Sequence, residues 1–167
     1  MNEPHSAIRY ENFKLIHFPA SDRNLLFDLA KDPGERVDLS KKMLEIAKSR
    51  NVYDKLDHVD IVGYLSNAEL DFDYFIATDV FIYVGDLSEV FRLIKVRNKK
   101  PGKLIFSTEH TLRDGFFLEK SGRYSHSKSY IEALCKKYRF SINHFSTADL
   151  RKENGVFLKA GIYSLSF

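Results

Sequence analysis

β-rich segments alternate with helix-periodic segments along most of the chain, and this alternation constrains the fold more than any other feature. Phe13–Phe18 (FKLIHF) is a short apolar run typical of a buried strand. A helix is predicted through LLFDLAK, with Ser21 as its N-cap and Pro33-Gly34 as its end. Arg36–Leu39 then predicts a short strand, and Ser40 is expected to cap the next helix.

The alternation continues to the C-terminus. Two strands are predicted at His58–Ile61 and Phe72–Asp79, with a short helix at Val62–Ala68 between them. The later elements are a helix through LSEVFRLIKVR that Asp86 caps and Pro101-Gly102 ends, a β-rich run KLIFSTE, and a helix at Ser129–Tyr138. FSINHFS and VFLKAGIYSLSF, joined by the polar stretch ADLRKENG, are expected to pair as an antiparallel hairpin. Thr111–Ser127 is irregular and is the natural place for a substrate loop.

This order predicts an α/β fold. We expect a Rossmann-like, mostly parallel sheet with helices on both faces and a C-terminal antiparallel hairpin. With 167 residues the chain is long enough for one domain with a sizeable core, so we expect a single domain over 1–167.

Composition narrows the class of protein. No run approaches the roughly 20 apolar residues of a membrane span, and the N-terminus carries no secretory signal, so we expect a cytoplasmic protein with no membrane partner. The single cysteine, Cys135, fits a buried helix face, and the six histidines lack the spacing of a zinc site. The net charge of +3 comes from short runs on predicted helices, which favours solvated faces over a nucleic-acid surface. The oligomeric state stays open.

Three aspartates close successive predicted strands. Asp38 follows RV, Asp60 follows HV, and Asp79 ends FDYFIATD. Ligands of open parallel sheets bind beyond the carboxyl ends of the strands, where a carboxylate can accept both hydroxyls of an adenosine ribose. The alternative is that each aspartate caps a helix or starts a turn. Three in series favour a nucleotide-like ligand.

A resemblance agrees with this interpretation. The segments that carry it are VDLSKKMLEIAKSRNVYDKLDHVDIVGYL, FDYFIATDVFIYVGDLSEVF, PGKLIFSTE, SGRYSHSKSYIEAL and LRKENG. Together they resemble the class I S-adenosylmethionine-dependent methyltransferases, and they look closest to the type 11/12-like group often joined to tetratricopeptide repeats. The resemblance covers roughly three quarters of the chain and places a methyltransferase-like body at 37–167.

The resemblance implies a role for particular residues. For the cofactor S-adenosylmethionine it implies Asp38 on the ribose, Leu39 and Met43 beside the adenosine, Asp60 and Ile61 at the adenine, and Asp79 and Val80 near the reactive methyl group. Tyr83 is a candidate for orienting the acceptor, although it could instead be a packing residue. Arg123 and Tyr124 are candidates for substrate binding and His126 for a base, or these residues pin their loop to the domain.

The N-terminal stretch departs from the family pattern. The first strand should lead into a glycine-rich loop of the form GxGxG, because only glycine lets the backbone come so close to the cofactor's amino-acid end. His17–Ser21 stands there without a glycine. KLIHF and NLLFDLAKDPGE instead resemble the C-terminal tail of sulfatases, which suggests a foreign N-terminal unit at 1–36. A sulfatase nucleophile motif is absent from the sequence.

Two functions follow from this combination. The first is methyl transfer from S-adenosylmethionine to an unidentified small molecule or protein. The second is a catalytically inactive methyltransferase fold that serves as a binding or regulatory module, because it lacks the glycine-rich loop.

Overall fold

The structure is a computed structural model. It describes residues 6–10, 13–18, 23–28, 39–67, 69–153 and 156–167. The chain divides into two units, 1–60 and 61–167. Parallel strand pairs occur among the described residues of the second unit, whereas the described strands of the first pair only antiparallel.

The described part of the first unit contains a three-stranded antiparallel sheet and one helix. The strands β1 (Ser6–Tyr10), β2 (Phe13–Phe18) and β3 (Arg23–Asp28) lie side by side in that order. Helix α1 (Leu39–Ser49) comes next among the described elements. FKLIHF is thus a strand, as predicted, but its neighbours on both sides are antiparallel.

The predicted helix through LLFDLAK is wrong over its described part. Arg23–Asp28 is a strand, because a run of three apolar residues is too short to distinguish a helix from a strand, and here pairing with β2 decides. Helix α1 begins at Leu39, so Ser40 lies inside the helix and does not precede it. Ser21, Pro33-Gly34 and residues 36–38 of the predicted strand lie outside the described residues.

The second unit contains the predicted α/β alternation. Its elements are α2 (Ile61–Asn67), β4 (Tyr74–Ala77), a 3₁₀ turn (Phe81–Tyr83), α3 (Ser88–Arg97), β5 (Lys103–Thr111), β6 (Phe116–Leu118), β7 (Tyr124–Ser127), α4 (Lys128–Tyr138), β8 (Ser141–Glu153) and β9 (Val156–Ser166). The sheet order is β6-β7-β5-β9-β8, and β4 also pairs with β5. Strand β5 is parallel to β4 and β7 and antiparallel to β9. The predicted fold class is confirmed.

Several boundaries differ from the prediction. His58–Asp60 is not a strand, and α2 begins directly after Asp60, because an aspartate before an apolar stretch favours a helix start over a four-residue strand. The irregular segment Thr111–Ser127 contains β6 and β7. The hairpin of β8 and β9 is confirmed, and it extends into the polar stretch expected as its connection, with Glu153 pairing to Val156.

Helices α3 and α4 bury the apolar residues that their periodicity predicts. In and just before α3, Leu87, Val90, Phe91 and Ile94 recur at helical spacing, and all are buried. The Phe91 ring meets Phe106 of β5 edge to face, with 6.0 Å between centroids. On α4, Cys135 is buried in the same core, as expected for a small apolar residue. Burial raises the pKa of its thiol to about 11, so the thiol stays protonated.

Asp86, the predicted N-cap of α3, lies one residue before the N-cap position. The N-cap position is Leu87, which has no capping side chain. Asp86 instead accepts hydrogen bonds from the Ser88 N–H (2.8 Å) and the Tyr130 hydroxyl (2.9 Å). These bonds, those from Ser88 foremost, lower the pKa of the Asp86 carboxyl. The carboxylate therefore connects the start of α3 to α4.

The longest described helices have 11 residues, which is too short to cross a membrane.

Candidate functional site

The pairing of β5 changes partner along one of its edges. Strand β4 pairs with the first part of β5, up to Phe106, and β7 pairs with the last part, from Glu109. Strand β9 pairs with the other edge of β5, from Lys103 through Glu109. Ser107 and Thr108 therefore lie between the end of β4 and the start of the β7 pairing. A gap at the carboxyl end of parallel strands is where ligands of open α/β sheets bind.

We call this place the crevice and define it by five residues: Asp79, Tyr83, Ser107, Glu109 and Arg123. Two come from the segment after β4, two from β5, and one from the segment that leads into β7. All five belong to the second unit.

Asp79 lies two residues beyond β4 in a left-handed conformation, with φ +59°. An L-residue other than glycine rarely adopts this conformation, and its cost is roughly 1–2 kcal/mol. The Asp79 N–H donates to the Ser107 hydroxyl at 3.1 Å, which holds the turn against β5. Strain of this kind tends to cluster at functional sites.

Glu109 faces the crevice from β5. Alternate strand residues share a face, so Ser107 and Glu109 lie on one side and Phe106 and Thr108 on the other. The Glu109 side chain is only 4% exposed. A buried carboxylate needs a compensating charge or hydrogen bonds.

Arg123 supplies positive charge beside Glu109. Ser125 of β7 pairs with Glu109, and Arg123 directly precedes β7, where its charge interacts with that of Glu109. Burial by itself lowers the pKa of Arg123. A hydrogen bond with Tyr83 and the charges of Glu109 and Asp79 outweigh that effect and raise the pKa overall. The guanidinium thus stays charged between two carboxylates, and its buried Nε has no hydrogen-bond partner among the described residues.

Tyr83 is exposed over 61% of its surface, so it is not a packing residue of the core. It ends the 3₁₀ turn that follows Asp79. Its hydroxyl bonds to Arg123 while its ring remains open to solvent. Tyr83 can therefore contact a molecule that enters the crevice.

His126 lies on the opposite face of the sheet and is fully buried. Its Nε2 donates to the Gly85 carbonyl at 2.9 Å, and its ring contacts Phe116 and Tyr130. Burial lowers its pKa despite hydrogen bonds with the Gly85 and Val84 carbonyls, so the ring is neutral near pH 7. This geometry ties β7 to the segment after the 3₁₀ turn.

Tyr124 packs close to the same segment. A Cβ on Gly85 would come within 2.7 Å of Cε1 of the Tyr124 ring, so only glycine allows this approach. Phe116 meets Tyr124 edge to face at 6.3 Å. Gly85 thus has a packing role against the rings of Tyr124 and Phe116.

The other predicted site residues lie elsewhere or outside the description. Asp38 is outside the described residues. Leu39 and Met43 are on α1, where Met43 is 65% exposed, and Asp60 directly precedes α2. Val80 is an exposed residue beside Asp79. Of the predicted residues, the structure brings Asp79, Tyr83 and Arg123 together.

Ile61 lines a separate apolar cleft of about 250 Å³ in the second unit. Tyr64 and Leu65 of α2 form one wall of the cleft, and the residues of β4 form much of the rest. Ile61 also packs against the core.

Ser107 and Glu109 are site residues that the sequence interpretation missed. A signal for Glu109 was present, since an acidic residue near the end of KLIFSTE obeys the same rule that selected the three aspartates. Ser107 had no such signal, because its role depends on where β4 leaves β5.

Comparison with solved structures identifies a shared fold. A methyltransferase from Methanosarcina mazei is 12% identical over 75% of this chain and 77% of that chain, with a TM-score of 0.55. The 1,6-didemethyltoxoflavin-N1-methyltransferase of Burkholderia thailandensis is 8% identical over 75% and 56%, with a TM-score of 0.57. The magnesium protoporphyrin IX methyltransferase of Synechocystis PCC 6803 is 18% identical over 77% and 56%, with a TM-score of 0.51.

The first of these structures is described as S-adenosylmethionine-dependent, the second contains S-adenosylhomocysteine, and the third contains S-adenosylmethionine. The chain spans a little over half the length of the second and third proteins. No family model and no curated protein matches the sequence. At these identities the likeness establishes the fold, which is that of the class I methyltransferases.

Proposed function

We propose that the chain binds S-adenosylmethionine and transfers its methyl group to a small molecule or protein. The fold shared with S-adenosylmethionine-dependent methyltransferases is the observation that carries this proposal. The Burkholderia and Synechocystis enzymes are named for small-molecule substrates, which favours a small acceptor here.

The charges of the crevice fit such a cofactor. Asp79 and Glu109 are carboxylates and Arg123 is a guanidinium, so the three sum to one negative charge. When bound, S-adenosylmethionine supplies an electrophilic methyl group on a positively charged sulfonium. A net negative surrounding is compatible with that charge.

In this proposal the residues of the crevice bind the cofactor and orient the methyl acceptor. Methyl transfer depends mainly on proximity and in-line approach, which rigid positioning provides. The Asp79–Ser107 hydrogen bond fixes the turn after β4, and Tyr83 orients the acceptor from the exposed rim. Arg123 and Tyr124 are proposed to hold the substrate side, with His126 positioning β7 through its bond to Gly85.

The residues that would contact the adenosine part of the cofactor are a separate set of proposals. Ile61 lies in the second unit, as does Val80, which is proposed near the reactive methyl group, whereas Leu39, Met43 and Asp60 lie in the first. Asp38, proposed at the ribose, lies outside the described residues. The sequence relationship to methyltransferases joined to tetratricopeptide repeats, and the foreign origin of 1–36, also remain proposals. The same holds for a single domain over 1–167.

We expect weak cofactor binding, because no glycine-rich loop is present at His17–Ser21. Isothermal titration calorimetry with S-adenosylmethionine and S-adenosylhomocysteine tests this. A dissociation constant near 1 mM corresponds to a binding free energy of about 4 kcal/mol. Absence of heat at millimolar concentrations of both ligands contradicts the proposal.

A matched pair of variants tests the role of the crevice. Asp79→Asn should weaken S-adenosylmethionine more than S-adenosylhomocysteine, because only the former carries the sulfonium charge. Asp149→Asn removes the same charge from a surface pair with Lys159 and should leave both affinities unchanged. Equal effects of Asp79→Asn on both ligands would place Asp79 away from the sulfonium.

The second candidate is a non-catalytic module with the methyltransferase fold. The observation that favours it is the antiparallel pairing of β2 on both sides, in the place where the family has the first parallel strand and its glycine loop. This candidate predicts no methyl transfer at saturating S-adenosylmethionine to any acceptor in a cell extract, measured with a labelled methyl group.

A further inference from the structure

Arg123 is the residue of the crevice that has an unused hydrogen-bond donor. Its guanidinium makes a hydrogen bond with the Tyr83 hydroxyl, whereas Asp79 and Glu109 act on it through their charge. The Arg123 Nε is buried and has no hydrogen-bond partner among the described residues. A buried donor without an acceptor is costly, so native proteins keep such groups only for a reason.

The turn that leads into Arg123 also has unmatched donors. It connects β6 to β7 and is fixed by a backbone hydrogen bond, in which the Glu119 N–H donates to the Arg123 carbonyl at 2.8 Å. The Glu119 carboxylate is turned toward Arg113 and Ser125, and it accepts a hydrogen bond from each. The Ser121 hydroxyl, in the same turn, is buried and has no partner in the part of the chain that the structure describes. A ligand that binds here should therefore bring an acceptor.

An exposed aromatic ring lies beside the guanidinium. Tyr83 bonds to Arg123 through its hydroxyl, while 61% of its surface remains exposed. Aromatic faces pack well against other flat rings. The combination of this ring with the unused donor fits a planar molecule that carries an acceptor atom.

The charges of the crevice distinguish a neutral acceptor atom from a charged one. Asp79 and Glu109 carry one negative charge each, and Arg123 carries one positive charge. In the proposed function the sulfonium of S-adenosylmethionine adds a second positive charge, so the four charges sum to zero. A neutral group preserves this balance, whereas a carboxylate or an ammonium group would add an uncompensated charge beside the buried Glu109.

We propose that the methyl acceptor is a planar, neutral molecule whose carbonyl oxygen accepts a hydrogen bond from Arg123 Nε while its ring packs on Tyr83. This inference rests on the proposed function and names the class of its substrate. Binding of the carbonyl oxygen satisfies the unused donor. A hydrogen bond from a charged donor is also among the stronger ones in proteins, so the interaction can select this class.

Two probes of nearly the same shape test the inference on protein saturated with S-adenosylmethionine. Acetophenone has a carbonyl oxygen where ethylbenzene has two hydrogens, and neither probe carries a nucleophile that would consume the cofactor. Titrations followed by protein NMR should give at least about tenfold tighter binding of acetophenone, because only its oxygen can accept from the guanidinium. Equal affinities would mean that water satisfies Arg123 Nε, and they overturn the proposal, as does a failure of both probes to bind.

A third probe tests the neutrality of the acceptor group. Benzenesulfonate has a similar ring and oxygen acceptors, but it carries a negative charge. It should bind more weakly than acetophenone, because its charge is not compensated in the loaded crevice. Tighter binding of benzenesulfonate overturns the neutral class.

Variants then assign the preference to Arg123. Arg123→Lys keeps the positive charge and removes the Nε donor, so the preference for acetophenone over ethylbenzene should fall below about threefold. Arg113→Lys is the control, at an arginine whose side chain is 55% exposed and pairs with Glu119, and it should keep the full preference. An equal response of both variants overturns the role of Arg123. If Arg123→Lys does not fold, the probe preference of the unmodified protein still decides.

The two levels of the proposal fail differently. Lack of S-adenosylmethionine binding contradicts the proposed function itself. Binding of S-adenosylmethionine without a preference for acetophenone contradicts only the acceptor class.

Discussion

The two faces of β5 carry different kinds of residue, although they alternate along one strand. Leu104, Phe106 and Thr108 lie on the face that α3 covers, which we call the core face, and all three are buried. Ser107 and Glu109 lie on the other, the site face, beside Arg123. A single strand thus serves packing and a polar site, because successive side chains point to opposite sides.

The two faces obtain their stability in different ways. The core face depends on aromatic packing: Phe106 stacks on Tyr163 with 4.9 Å between ring centroids. The site face depends on charge compensation around a buried carboxylate. Substitutions on the two faces should therefore differ in how much they lower the free energy of unfolding and in whether their effects add.

The largest effect is expected from the core face. Phe91→Ala removes a fully buried ring that contacts Phe106 and Phe140, and it should lower the free energy of unfolding by about 3–5 kcal/mol. Urea denaturation followed by circular dichroism measures this. Val96→Ala, at a residue of the same helix that is 69% exposed, is the control and should change stability little. Similar losses for both would show that packing of Phe91 on the core face does not account for its effect on stability.

A smaller and non-additive effect is expected from the site face. Arg123→Gln leaves Glu109 without its facing cation, and we expect a loss of roughly 1–3 kcal/mol. Adding Glu109→Gln should restore part of that loss, because the negative charge that Arg123 offsets is then gone. The three variants form a double-mutant cycle measured by urea denaturation. Strictly additive losses would show that the two side chains do not interact.

The core face also predicts a dependence on pH. Burial holds the pKa of His126 below its ordinary value of 6.5, and that of His110 is lowered for the same reason. The unfolded chain then binds more protons than the folded one as pH falls through about 6.5, so stability is complete above that pH and decreases below it.

Thermal unfolding at pH 7.5, 6.5 and 5.5 measures this dependence. The slope, which is the change in melting temperature between pH 6.5 and pH 5.5, should be smaller in His126→Gln than in the unmodified protein. It should be unchanged in His144→Gln, since His144 is an exposed residue of β8. An unchanged slope in His126→Gln would show that His126 is not the group that titrates.

The smallest effect is expected at Thr108. Its hydroxyl is fully buried on the core face and has no hydrogen-bond partner among the described residues. Thr108→Val keeps the shape and removes the unsatisfied hydroxyl, so the melting temperature should rise slightly, by an amount equivalent to about 1 kcal/mol. A lower melting temperature would mean that a bound water satisfies the Thr108 hydroxyl. Ser107→Ala, on the site face, is the comparison variant.

Much of the second unit could be predicted from local pattern. The periodicity of LSEVFRLIKVR and the position of Pro101-Gly102 predicted α3 and its end, and KLIFSTE predicted β5. In the first unit, LLFDLAK was assigned to a helix and its described part is a strand. The apolar run is too short to distinguish a helix from a strand. The strand forms because Leu25 pairs with Ile16 and Leu26 pairs with Leu15 of β2.

The site was predicted only in part. Asp79, Tyr83 and Arg123 followed from strand-end position and from the family resemblance, whereas Ser107 and Glu109 did not. Their role depends on two strand pairings, β4 with β5 and β7 with β5, whose partners lie about 15–30 residues apart along the chain. Such non-local contacts leave little trace in a local pattern.

Local sequence pattern was sufficient to predict the α/β alternation of the second unit and the buried faces of α3 and α4, and it showed that no glycine-rich loop follows FKLIHF. Side-chain period, caps and chain breakers act within a few residues, so they can be read locally. The folded arrangement was needed to show that β4 and β7 share one edge of β5 and that Arg123 interacts with Glu109, Tyr83 and Asp79. Strand pairing and charge compensation join segments that are distant along the chain, so their energies depend on the fold and not on neighbouring residues.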